Sequence, residues 1–103
     1  MKHVLKAIPQ AAAEAARSMT YDIRQSALEH GWHPAVANSI HIVHTGSEFK
    51  VHIPSKYAAE AHKYEYGTED RRPTAVIRKF NNRPEIAEKA ILSSINRLTK
   101  GLL

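Results

Sequence analysis

An α+β fold is predicted from three stretches of this sequence. Apolar residues recur at helical spacing near the start, alternate along two short runs in the middle, and return to helical spacing towards the end. At 103 residues the chain supports one domain with a single modest core. The architecture expected over residues 1–103 is a small antiparallel sheet, a hairpin plus a third strand, packed by a long N-terminal helix and a C-terminal helix.

The first helix is expected to begin at Pro9, which suits a first turn because its missing N–H costs nothing there. Ala12, Ala15, Ala16, Met19, Ile23 and Ala27 follow on one face. The alanine-rich stretch from Ala11 to Ala16 favours helix and lets a neighbour approach closely. Gly31 is placed to stop it.

Alternation then takes over. Ile40 and Ile42 share one face of a strand, and Phe49, Val51 and Ile53 resume the pattern after Thr45-Gly46-Ser47. A two-residue Thr45-Gly46 loop pairs Ile42 with Phe49, whereas a loop from Thr45 to Glu48 pairs Ile42 with Val51. Both registers keep the same apolar face. Pro54 ends the hairpin.

A short helix is expected from about Ser55 to Tyr66, with Tyr57, Ala58, Ala61 and Tyr64 or Glu65 at spacings of three and four, and Gly67 stopping it. Thr68 to Arg72 reads as a mobile polar loop. After Pro73, Ala75-Val76-Ile77 reads as the third strand. Asn82-Arg83-Pro84-Glu85 has the form of an N-cap followed three residues later by glutamate. Ala87, Ile91, Ile95, Leu98 and Leu102 then mark one face of the last helix, with Arg97 and Lys100 near its negative end.

Composition narrows the function classes. With 43% hydrophobic and 24% charged residues the chain is ordinary for a globular fold. It has no cysteine, so disulfides and thiolate metal sites are excluded, and a reducing compartment is expected. No apolar run approaches the roughly 20 residues that span a bilayer, and the N-terminus lacks the apolar core of a secretory signal. The net charge is +5, and residues 71–100, with eight lysines and arginines against Glu85 and Glu88, account for all of it. A basic third of this kind attracts nucleic acid or an acidic protein surface. A solvated helix face is the plain alternative.

No catalytic constellation is apparent. Seven histidines raise a metal hypothesis, but zinc needs convergent ligands. His41 and His44 have opposite strand parity, and His30 and His33 straddle a helix end. No nucleophile elbow surrounds a serine, and the glycines are isolated rather than gathered in a phosphate-cradling loop. No enzymatic activity, metal or cofactor is expected.

From about Trp32 onward the order of features resembles the neck or tail-completion proteins of long-tailed double-stranded DNA phages, the head–tail joining family. The resemblance rests on His33-Pro34, Ser39-Ile40, the hairpin, Tyr57-Ala58, Glu65-Tyr66-Gly67-Thr68, Pro73 and the helix from Asn82. Its most specific part is the Glu-Tyr-Gly-Thr element, set between a hairpin and a C-terminal helix. Two departures stand out. Ala35-Val36-Ala37-Asn38 replaces the family's Gly-x-Leu, and Arg72-Pro73-Thr74-Ala75 replaces its Pro-x-Pro-Phe.

The resemblance implies a structural virion protein of the neck or tail, assembled in the host cytoplasm as a ring around the DNA channel. Its partners would be other copies of itself, head-completion or portal-side proteins, and tail-tube or tail-terminator proteins, with non-specific channel-DNA contact and no membrane. Tyr64, Glu65, Tyr66, Gly67 and Thr68 are the expected subunit interface. Arg71, Arg72, Arg78 and Lys79 are the expected contacts to a partner ring or to DNA. The competing reading is a small basic nucleic-acid-binding module. Against it, no aromatic residues are interleaved with the basic ones on a strand face, and a hairpin separates the long helices.

Overall fold

In the computed structural model the described residues are 2–45 and 48–99, with backbone alone described for 2–9, 84, 98 and 99. The elements are α1 (Lys2–Glu29), α2 (Pro34–Ala37), β1 (His41–Thr45), β2 (Glu48–His52), α3 (Ser55–Tyr66), α4 (Val76–Asn81) and α5 (Pro84–Thr99). The fold is α+β. A two-stranded antiparallel sheet is packed by the long N-terminal helix, and the C-terminal helix lies along that same helix.

α1 starts earlier than expected. Its 28 residues place Pro9 inside the helix rather than in its first turn. A proline removes one ladder bond there, and the helix-forming residues on both sides sustain the rest. Ala11, Ala15, Ala16, Met19, Ile23 and Ala27 form the buried stripe, while Ala12 is half-buried. The end follows the sequence. Gly31 takes φ +84°, Trp32 N donates to Ala27 O at 3.0 Å and Gly31 N to Leu28 O at 3.1 Å. These are the two bonds of a Schellman stop, and they fold the Trp32 indole into the core. α2 is a single turn, capped by His33 Nδ1 accepting from Ala35 N at 3.1 Å.

The hairpin takes the register in which Ile42 faces Val51, with Thr45 opposite Glu48 and His41 opposite His52. Gly46 and Ser47, where the turn was expected, lie outside the described residues. α1 holds β1 by polar contacts as well as by packing. The Thr20 hydroxyl donates to Ala16 O at 2.7 Å and accepts from Ile42 N at 2.8 Å, and Arg24 Nε donates to Ile40 O at 2.6 Å. The core joins α1 with Trp32, Val36, Ala37, Ile40, Ile42, Ala61 and Val76.

Two expectations for the C-terminal third are corrected. The third strand at Ala75-Val76-Ile77 does not form, because α4 begins at Val76. A three-residue apolar run does not separate strand from helix by itself. Tertiary bonds decide it: Thr74 N and Ala75 N donate to the Tyr64 and Glu65 carbonyls at the end of α3, and Ala75 enters the left-handed region at φ 53°. The second correction concerns Asn82, which closes α4 instead of opening α5. Proline suits the first turn of α5. Behind it Glu85 accepts from Arg83 Nε at 2.9 Å, a bond that holds its carboxyl below the ordinary range.

α5 rests on the core through Ile86, Ala87, Ala90 and Ile91 and buries Ser94, and its Arg97 forms an ion pair with Glu14 of α1. The side chain of Leu98 and the whole of Lys100 and Leu102 lie outside the described residues. Among those residues no helix is long and apolar enough to cross a membrane.

Candidate functional site

The Glu-Tyr-Gly-Thr element occupies the handover from α3 to α4, and each of its residues has a separate physical task. Glu65 is 3% exposed. Its carboxylate accepts from Ile77 N at 2.9 Å, Arg78 N at 2.8 Å and Arg78 Nε at 3.0 Å. The first turn of α4 therefore finds its acceptor in a side chain from α3, at the helix end where negative charge is favoured. Burial of the charge is compensated by the Arg78 guanidinium.

Gly67 ends α3 at φ 82° and ψ 173°, a combination open essentially to glycine alone. Space makes the same demand, since a Cβ at this position would stand 2.8 Å from Arg71 O and Pro73 N. Pro73 can pack so closely only because residue 67 has no side chain.

Thr68 to Arg72 forms the expected loop between α3 and α4, and within it Thr68 N donates to Arg71 O at 2.9 Å and Arg71 N to Thr68 O at 3.2 Å, which closes a tight turn over Glu69 and Asp70. Polar composition marks a surface turn, and the reciprocal bonds give this one a defined shape.

The two tyrosines diverge. Tyr64 stacks on Trp32 with ring centroids 5.2 Å apart, and the Arg71 guanidinium lies 4.6 Å from the Tyr64 centroid. Trp32 Nε1 donates to Thr74 Oγ1 at 2.9 Å, whose hydroxyl donates to Tyr64 O at 3.0 Å. Tyr64 thus ties α3 to the segments before α2 and α4. Tyr66 is 52% exposed, with His62 on its ring at 4.6 Å and Arg78 at 4.3 Å.

Of the five residues expected at a subunit interface, Glu65 is buried, Tyr64 half-buried and Gly67 closely packed, while Tyr66 and Thr68 offer surface. The four basic residues also separate. Arg71 and Arg72 are exposed beside Tyr64 and at the turn, and Arg78 is bound to Glu65 and Tyr66. Lys79 is exposed and lines a groove with Asp22, Ser26 and Phe80. The Trp32–Thr74 bond and the left-handed Ala75 carry no pattern in the sequence that points to them. Among the described residues, no group of three or more histidines and carboxylates is placed to hold a metal ion. No protein-family model, curated protein or solved structure matches this chain.

Proposed function

We propose that this chain is a structural subunit of a tailed-phage neck or tail, forming or joining a ring around the DNA channel between the head-completion proteins and the tail tube. The observation that carries the reading is the clamp at the α3–α4 handover. It converts the residues of the family resemblance into a fixed surface bearing Tyr66, Thr68, Arg71 and Arg72. A ring subunit must present the same contact shape in every copy, and a clamped aromatic and basic surface meets that need.

The hairpin supplies a second contact. Ile42 N points to Thr20 of α1, so by antiparallel alternation the backbone groups of its partner Val51, and of Phe49, point away from β1. The outer edge of β2 therefore presents donors and acceptors for a neighbouring chain.

Deletion of the gene from the phage genome tests the reading. Separate filled heads and separate tails are expected, restored to joined particles by the gene in trans. Joined, infectious particles without the protein, or virion necks without its density, overturn it.

A further inference from the structure

We propose that His41 and His52 form a two-ligand site for a divalent transition-metal ion of the zinc, nickel or copper class on the outer face of the hairpin. The inference is independent of the virion reading. The two residues are direct cross-strand partners in the β1–β2 register, and their rings lie 4.8 Å apart, tilted by 54°. Side chains of directly opposed residues leave the sheet on the same side. The pair stands on the face that also carries Val43, Thr45, Glu48 and Lys50, opposite the core face of Ile42 and Val51.

The orientation of one ligand is already set. His41 Nδ1 lies 3.1 Å from Ser39 O. A carbonyl oxygen only accepts, so Nδ1 carries the proton and Nε2 keeps its lone pair for a metal. That is the arrangement found behind metal-bound histidines, where the second nitrogen donates to a carbonyl or carboxylate. His52 is exposed and free to turn its ring towards the same point. An ion about 2.0–2.1 Å from each nitrogen needs the two nitrogens roughly 3 Å apart, which tilted rings at this centroid spacing reach by small side-chain rotations. Water or a group from a neighbouring molecule fills the remaining positions. Imidazole pairs favour copper, nickel and zinc over magnesium or calcium.

Lys50, on the same face two rungs along, has its ammonium 3.8 Å from the Glu48 carboxylate. His44 cannot join the pair, because strand parity puts it on the other face beside Phe49.

The test is titration of the tag-free protein with zinc chloride, followed by calorimetry and amide NMR. One zinc per chain is expected, with amide shifts centred on residues 41 and 52 and an unfolding midpoint that rises with zinc. Replacement of either ligand, His41→Ala or His52→Ala, is expected to weaken zinc binding by about tenfold or more, and His44→Ala to leave it unchanged. Unaltered binding in both ligand variants overturns the site. Should a variant lose the hairpin, the wild-type zinc map decides alone, and amide shifts centred away from residues 41 and 52 overturn the proposal.

Discussion

Arg78 meets Glu65 three times: its backbone N–H and its Nε both donate to Glu65 Oε2, at 2.8 and 3.0 Å, and its terminal nitrogen donates to the Glu65 carbonyl at 2.7 Å. One residue of α3 thus receives both the main chain and the side chain of one residue of α4. The Arg78 guanidinium also lies over Tyr66, so the pair fixes the exposed ring beside it.

The two members of this pair differ in what their loss exposes. Glu65→Ala removes the acceptor for two α4 amides and the carboxylate partner of Arg78, and it is expected to cost about 2–4 kcal/mol. Arg78→Met leaves the carboxylate bound to both amides and is expected to cost less, about 1–2 kcal/mol, because the arginine side chain is 42% exposed. Urea unfolding of both variants measures the order. A greater loss from Arg78→Met would show that the ion pair, and not the capping of α4, dominates.

Gly67 and Gly31 share nearly the same positive φ, 82° and 84°, but not the same surroundings. A Cβ at Gly31 meets nothing within 4 Å, so Gly31→Ala pays only for the backbone, about 1 kcal/mol. At Gly67 the added atom strikes the main chain of Arg71 and Pro73. Gly67→Ala is therefore expected to cost about 3 kcal/mol or more, and Gly67→Val to prevent folding or assembly. Equal losses at the two glycines by thermal unfolding would contradict the close approach drawn at residue 67.

The positions readable from sequence were those where a local pattern and a tertiary need agree. Gly31 and Gly67 follow helices whose apolar spacing ends beside them, and both stop those helices. The hairpin keeps its apolar face in either register considered, so alternation was sufficient to place it. The same strand parity separates His41 from His44, and the register across the turn pairs His41 with His52. The third strand failed for a different reason. Nothing within Ala75-Val76-Ile77 reports that Glu65, twelve residues before Ile77, supplies the acceptor that makes a helix start there. The tight Thr68–Arg71 turn was likewise hidden, because polarity reveals exposure and says little about reciprocal backbone bonds.

Ala75 gives a prediction of the opposite sign. It is the single non-glycine residue among those described with positive φ, and an L-residue in that region carries a cost of roughly 1–2 kcal/mol. Glycine removes the strain but loses more entropy on folding. Ala75→Gly is expected to be neutral or stabilising by up to about 1 kcal/mol. A clear loss in chemical denaturation would mean that the half-buried methyl group contributes more packing than the strain removes.

The basic residues yield a prediction that separates three roles. Arg78 is ion-paired to the buried Glu65, so the test belongs to the exposed Arg71, Arg72 and Lys79, and the triple glutamine variant, which gives up only the Arg71 contact with the Tyr64 ring, should fold normally. Contacts to DNA sliding through a channel must fall on phosphates and ignore sequence, because base readout would hold it. Such binding is weak, non-specific and falls steeply with salt. Loss of this salt-sensitive binding in the variant, together with leakage of DNA from joined particles, assigns the cations to the channel. Failure of head–tail joining with DNA binding unchanged assigns them to an acidic neighbouring ring. On the proposed neck reading, the closed turn favours the second outcome for Arg71 and Arg72, since a shaped surface suits a protein contact better than passing DNA. Normal joining together with normal DNA retention leaves all three as solvated charges.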